Sequence, residues 1–451
     1  MNKLRVGYAC LARLTFDGEY AKELFDRSLA ILAKMDIELV RMDGLTVTED
    51  DAEAMASHFV SEKVDVALIQ YGTFSLGSLM PLFAERLQVP IVLWGVPEPS
   101  LNGTRLRSNS LCGINMNAHT LMRLGRKYET IFCLPEDAPA ELEPLFRSLH
   151  CLSRLRNVRL GLVGYRVPGF YTSNCDEMEM RRRLGPELHH ITLAEVYDEA
   201  GKTDREARKE LVDSGCSAAC SVEVDSEEFD KAAALYLALK KLVTKYNLDA
   251  LAVKCWPEFP DSYGVAACWA LSRLNDDGIM TSCEGDVYGV VTMLMENFLT
   301  GKTPMFADFV AIDEEQNLGI GWHCGAAPTC LASNSEGVAV CKHPSVGGGG
   351  KTGVTVSFPL RGGEPATMAR LGVGPDGLRL FFAGGEAVDT GPILRGNPAG
   401  IRFDRPVRQV LKTILNEGME HHYAIIHADI RPELRIIAKW LEMGTIDVDA
   451  E

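Results

Sequence analysis

Leu4-Arg-Val-Gly-Tyr-Ala-Cys-Leu11 is an apolar run that gives way, after one short loop, to the charged, helix-period segment Glu19 to Lys34. A buried strand passing into an amphipathic helix is the unit of a βα repeat. The unit recurs outward from this stretch: Ile37 to Met42, Val64 to Gln70, Pro90 to Trp94 and Thr130 to Leu134 read as strands, with a helix at Thr48 to Lys63. Such strands form a parallel sheet of the doubly wound kind, which binds ligands at the carboxyl ends of its strands. The loops after Tyr71 and Trp94 are therefore candidate site positions, as are Arg13, Gln70, Arg105 and Arg107 nearby.

The pattern restarts at Asn157-Val-Arg-Leu-Gly-Leu-Val-Gly164, followed by the loop Tyr165 to Ser173. A long amphipathic helix, Ser226 to Tyr246, leads into the apolar run Ala250 to Val253. After Pro328 short alternating runs punctuated by glycine pairs take over: Gly337 to Cys341, Gly353 to Leu360, Ala366 to Val373 and Leu378 to Phe382. This is an antiparallel β pattern. Helices around Pro406 to Glu417 and Pro432 to Met443 complete the reading. The expected fold is α/β, with two doubly wound parallel-sheet domains at 1–154 and 155–327 and an antiparallel, β-barrel-like domain at 328–451.

Composition narrows the function. Hydrophobic residues are 46% and charged residues 24%, and no apolar run approaches the roughly 20 residues of a membrane span. No secretory signal pattern opens the chain, and the 13 cysteines form no C-x-x-C pair, which fits free thiols in the cytoplasm. A net charge of −16 without a basic, aromatic-interleaved block argues against a nucleic-acid partner.

Three motifs are decoys. Ser345-Val-Gly-Gly-Gly-Gly-Lys351-Thr352 has Ser where a phosphate loop needs Gly, and a strand rather than a helix follows it. Gly161, Gly164 and Gly169 miss the dinucleotide-binding spacing. Cys216 and Cys220 lack the partners of a zinc site and read as buried thiols.

Three other stretches place ionisable residues where their surroundings are apolar or glycine-rich. Thr281-Ser-Cys-Glu284-Gly-Asp286 sits on a strand-to-helix turn ahead of the helix Val290 to Phe298. There Asp286 reads as a helix cap, whereas Glu284, one step deeper, does not. Asp308, in Met305-Phe-Ala-Asp308-Phe-Val, needs a partner because a lone buried carboxylate is costly. Glu420-His421-His422-Tyr423 supplies an imidazole. Two carboxylates and an imidazole suit a divalent ion such as Mn²⁺ or Mg²⁺ with positions left for two substrate oxygens.

These same residues carry a resemblance. Cys-Glu284-Gly-Asp, Ala-Asp308-Phe 24 residues further on and Glu-His-His422-Tyr resemble the motifs of the L-fucose isomerase and L-arabinose isomerase superfamily. The resemblance implies a soluble aldose–ketose isomerase working through an enediolate, with Glu284, Asp308 and His422 holding Mn²⁺ (or Mg²⁺ or Co²⁺) and Glu284 and Asp308 moving the proton. Val253-Lys-Cys-Trp256-Pro-Glu258 and Gly321-Trp322-His323-Cys324 are also similar to family segments; His323 either fills a fourth ligand position or hydrogen-bonds the sugar. Arg13, Tyr71, Trp94, Arg166 and Trp256 are further sugar-contact candidates. The implied substrate is a pentose or hexose, including deoxy and sulfonated hexoses such as sulfoquinovose. The implied assembly is a trimer or hexamer with pockets near subunit interfaces. A sugar-binding sensor without chemistry and a metal-dependent epimerase or aldolase are the alternatives.

Overall fold

The structure, a computed structural model, describes residues 3–102, 105–333, 337–343 and 353–450, so the decoy stretch Ser345 to Thr352 lies outside the described residues. The chain divides into two compact units, Met1–Ser153 and Arg154–Glu451.

In the first unit, strands β1 (Leu4–Leu11), β2 (Ile37–Arg41), β3 (Val66–Tyr71), β4 (Ile91–Gly95) and β5 (Tyr128–Phe132) are parallel and ordered β2-β1-β3-β4-β5. This is a doubly wound order whose direction of winding reverses between β1 and β3. Ala9, Leu11, Ile69 and Leu93 on the strands pack with Phe59 and Phe83 on helices, so the sheet is buried by its own crossovers. The helix Glu49–Ser61 starts where Thr48 and Asp51 cap one another's backbone amides.

The second unit opens with β6 (Arg159–Val163), β7 (Glu187–Ile191), β8 (Ser221–Val222), β9 (Ala250–Val253) and β10 (Met280–Ser282). Strands β10-β9-β6-β7 form a parallel sheet in that order, and the switch point now lies between β6 and β9. The chain continues through β11 (Met305–Asp313), β12 (Leu318–His323), β13 (Ala339–Lys342), β14 (Val354–Ser357), β15 (Pro365–Gly374), β16 (Gly377–Val388), β17 (Asn397–Phe403), β18 (His422–Ile426) and β19 (Gly444–Asp447). Antiparallel pairing in the order β15-β18-β11-β12-β17-β16 closes back from β16 to β15, giving a barrel, and β19 adds in parallel to β16. Inside it Phe309 meets Phe403 and Tyr423, and Tyr423 meets Phe381, with ring centroids 5.5 to 6.5 Å apart.

The α/β class with a terminal barrel matches the expectation, but the sheet changes character at Met305 rather than at residue 328. Met305, Phe306 and Ala307 are all buried, so the first barrel strand carries the continuous apolar signature of a parallel strand. Conversely, β13 and β14 are strands but lie outside the barrel; they pair with each other and with β8 in a separate small sheet. Cys216 and Cys220 are exposed, not buried: Cys216 lies on the helix Arg205–Ala218, which buries none of its residues, and Cys220 directly precedes the exposed strand β8.

One buried group stands alone. Glu296, in the helix Val287–Thr300, is fully buried, and among the described residues neither carboxylate oxygen has a hydrogen-bond partner. Burial pushes its carboxyl well above the usual carboxylate range. The folded chain therefore keeps a proton that the unfolded chain releases near pH ~4.3, so this residue's contribution to stability falls as pH rises through the window between the two pKa values. Glu296→Met, close in volume and apolar, is expected to be more stable than the native protein at pH 8 and to lose most of that difference at pH 4.5, as read by urea denaturation at the two pH values.

Candidate active site

The candidate site is built at the carboxyl ends of β6, β9 and β10, against the outer face of the barrel strands β11, β12 and β18. Glu284 follows β10 on a turn that leads into the helix Val287–Thr300. Its φ of +61° lies in the left-handed region, which a residue bearing a Cβ adopts at a cost of about 1–3 kcal/mol. Gly285 follows at φ +69°, and a Cβ there would collide with the Tyr165 carbonyl oxygen. Its amide donates to the Val253 carbonyl at 3.0 Å, fastening the turn to β9. The Trp256 indole N–H donates to Glu284 Oε1 at 3.0 Å and fixes that carboxylate's rotamer.

The barrel brings the other two groups by register. Asp308 on β11 stands directly opposite His422 on β18. Phe306, two residues before Asp308 and so on the same face, lies with its ring centroid 4.5 Å from that of His422. A Cβ on Gly289 would clash with the Phe306 ring, so this glycine is what lets the helix Val287–Thr300 lie close to β11.

The distances that result are 3.2 Å from His422 Nε2 to Glu284 Oε2 and 3.7 Å from His422 Nε2 to Asp308 Oδ1. His422 is 1% exposed, and among the described residues its Nε2 finds no well-aligned hydrogen-bond partner. Its other nitrogen, Nδ1, lies 2.8 Å from Asp286 Oδ2. Asp286 in turn accepts from Arg370 Nη1 at 2.7 Å and from the Gly289 amide at 2.8 Å. A carboxylate that takes the Nδ1 proton leaves the Nε2 lone pair pointing at the two acids, the arrangement of a metal-binding histidine with its supporting carboxylate. Neighbouring ligands around an ion with bonds near 2.1 Å sit about 3 Å apart, so this spacing suits one divalent cation.

The electrostatics agree. Burial would raise the Glu284 carboxyl, but the His421 and His422 imidazoles hold it well below the usual carboxylate range. Burial likewise opposes ionisation of Asp286, yet the Arg370 guanidinium and His422 keep it ionised. For His422 burial acts downward, and the Asp286 and Glu284 carboxylates more than offset it, raising the imidazole. The field that draws a proton to Nε2 draws any cation to the same point.

The fold brings Glu284 and Asp308 within 3.2 and 3.7 Å of His422 Nε2, and it adds two residues that the sequence reading left out. His421 precedes β18, so it escapes the strand's alternation; its ring centroid lies 3.8 Å from that of His422 with the planes tilted by 35°, and its Nε2 lies 3.5 Å from Glu284 Oε2. Glu284, His421 and His422 each present one ligand atom within 4.8 Å of the others. Arg370, fully buried on β15, had no local signal at all. Asp286 caps its helix as expected and also holds His422.

The sugar-contact candidates divide. Trp256 lines the site with Phe170, which packs edge-on against both Trp256 and His421 at 5.4 Å. The His323 ring lies 5.9 Å from that of His422. Arg166 adjoins the Glu284 turn, since its Cα is 2.9 Å from where a Gly285 Cβ would stand, and its guanidinium lies over Tyr171. Tyr71 and Trp94 belong to the first unit's core: both are 0% exposed, and the Trp94 indole donates to the Cys133 carbonyl, so neither offers a surface to a sugar. Arg13, in the same unit, is exposed.

Residues 7–152 match the family described as fucose/sulfoquinovose isomerase, N-terminal domain. A sulfoquinovose isomerase of Alkalicoccus urumqiensis is 31% identical over 450 residues, which cover 99% of this chain and 100% of that protein. The chain belongs to the fucose/sulfoquinovose isomerase family. A sulfoquinovose isomerase of Priestia aryabhattai is 30% identical over 99% of each chain, and one of Clostridium sp. (strain MSTE9) is 28% identical over 98% of this chain and 99% of its own. The protein is accordingly a sugar aldose–ketose isomerase. Asp286→Ala in this isomerase strands the buried Arg370 charge and removes a helix cap; a loss of about 3–5 kcal/mol for the pair and ~1 kcal/mol for the cap is expected in urea denaturation, and Arg370→Met combined with it should recover most of the former.

Proposed function

We propose that the isomerase converts a hexose with an anionic C6 substituent, sulfoquinovose or a close relative, into the corresponding ketose, with a divalent metal held by Glu284, Asp308 and His422. The observation that carries the reading is the convergence of two carboxylates, Glu284 and Asp308, on His422 Nε2, at 3.2 and 3.7 Å. The full-length similarity to proteins named sulfoquinovose isomerase supports the substrate class.

When bound, Mn²⁺, Mg²⁺ or Co²⁺ supplies Lewis-acid polarisation of the sugar's carbonyl and adjacent hydroxyl. The chain's own residues do the rest. Asp286 and Arg370 fix the His422 tautomer. Glu284, held ionised by its imidazole neighbours and aimed by Trp256, and Asp308, which shares the His422 Nε2 neighbourhood with it, exchange the proton between C1 and C2 through an enediolate. The Trp256 and Phe170 rings offer an apolar wall to the sugar's C–H face, and His323 and His421 reach its hydroxyls. Arg166, whose backbone adjoins the Glu284 turn, is the cation we assign to a sulfonate. No helix among the described residues is long and apolar enough to cross a membrane, and we place the enzyme in the cytoplasm.

We also propose a homo-oligomer, trimeric or hexameric, in which Arg13 serves a neighbouring copy's pocket. Leu14, Leu101 and Leu111, beyond the carboxyl ends of β1 and β4, are 60 to 84% exposed, which supports a partnered face.

Three outcomes are expected. Glu284→Gln and Asp308→Asn each lower ketose formation by about 10²–10⁴-fold and abolish deuterium uptake from D₂O at C1 of the ketose, with thermal melting little changed. Chelation removes activity and added Mn²⁺ restores it, whereas activity that survives exhaustive chelation contradicts the metal assignment. Arg166→Ala raises KM for sulfoquinovose far more than for the unsulfonated 6-deoxy sugar; equal effects on both would remove Arg166 from sulfonate binding.

A further inference from the structure

Away from the candidate active site, the second unit holds a cleft of about 160 Å³ between the helix Arg205–Ala218, the helix Cys268–Asp276 and the small sheet of β13 and β14. Its origin is local. A Cβ on Gly215 would stand 2.8 Å from the Phe229 ring, so the helix Arg205–Ala218 touches the body there, and the short side chains of Ala218 and Ala219 beyond it leave a gap before Val340 and Val356. Protein interiors are close-packed, and unfilled spaces of this size are few in a domain. The volume suits one six-membered ring, since an engineered apolar cavity of ~150 Å³ binds benzene.

Among the residues lining the cleft, one carries a charge. Trp269, Val340 and Val356 are buried, and Arg273 stands one turn after Trp269 on the same helix face. Among the described residues the Arg273 guanidinium has no hydrogen bond and no ion pair. The carboxylates nearest it in the chain, Asp276 and Asp277, are committed elsewhere. Asp276 accepts from the Thr329 hydroxyl at 2.7 Å and from the Cys330 amide at 3.2 Å, and Asp277 accepts from the Lys240 ammonium at 2.6 Å and from the Tyr236 hydroxyl. A cation without a counter-charge of its own, beside an apolar space the size of a ring, is complementary to a ligand with an apolar body and one anionic end.

We propose that this cleft is a second ligand site, which binds a small monocarboxylic acid with an apolar body the size of one six-membered ring. The body lies against Trp269, Val340 and Val356, and the carboxylate accepts from the Arg273 guanidinium. The planar fork of an arginine matches both oxygens of a carboxylate. A sugar fits poorly, because its ring of hydroxyls would be left unpaired against the valines. The site is thus separate from the sugar chemistry in its ligand and in its residues: none of those that line it belongs to the group around His422.

The test titrates 4-fluorobenzoate into the full-length protein in Mg²⁺, with and without sulfoquinovose, and follows the fluorine resonance. Saturable binding in the millimolar range is expected, as is usual for a ligand of about ten non-hydrogen atoms, and the sugar should not displace it. The same ring without the charge, 4-fluorobenzyl alcohol, should bind about tenfold more weakly. Arg273→Met should erase that preference by weakening the acid alone. Ala218→Trp, a change on a helix that buries none of its residues, should block both probes. Neither variant should alter thermal melting or ketose formation. Absence of saturable binding, displacement of the acid by sulfoquinovose, or an affinity that both variants leave unchanged would overturn the site; equal losses of acid and alcohol in Arg273→Met would overturn the carboxylate assignment. The resonance reads occupancy rather than turnover, so failure here is distinct from failure of the substrate assignment.

Discussion

The buried carboxylate of Asp286 is the constraint on which the second unit's chemistry rests. Its oxygens cap the helix Val287–Thr300, neutralise Arg370 from β15 and hold His422 from β18. One side chain thus joins the parallel sheet, which supplies Glu284, to the barrel, which supplies Asp308 and His422. An isolated buried charge costs several kcal/mol, so the three partners are mutually dependent. Loss of any one leaves another unpaired in a place water does not reach.

The same bond sets the chemistry. By taking the Nδ1 proton, Asp286 decides that Nε2 is the free nitrogen of His422, and the barrel register then places that nitrogen beside Asp308. Glu284 is brought within reach by a strained turn that only Gly285 permits. Two acids and an imidazole collect at one point because neither half of the unit contains the whole set, and the helix cap locks the halves together. The like charges of the two acids are what a bound cation would offset.

Much of this was legible in the sequence, for identifiable reasons. The βα repeats show in their period: β1 was read as Leu4–Leu11 and β9 as Ala250–Val253, as found. Glycine beside Glu284 marked the turn, whereas Asp308, read as a buried carboxylate from its apolar neighbours, is 30% exposed. Other features had no local signature. β11 and β12 look like parallel strands because all that separates them from such strands is which edge they pair with. The role of Arg370 depends on a pairing 84 residues away in the chain. Tyr71 and Trp94 were misjudged because polar-tipped aromatics at a strand end are equally suited to a rim and a core, and here they fill the core. His421 was overlooked because strand alternation would send it away from His422, yet it stands just before the strand starts.

The most direct measurement is anomalous difference density from crystals grown with Mn²⁺. A single peak about 2.0–2.3 Å from oxygens of Glu284 and Asp308 and from His422 Nε2 is the predicted result. A peak bound elsewhere, in crystals whose protein makes ketose at full rate, would contradict the account.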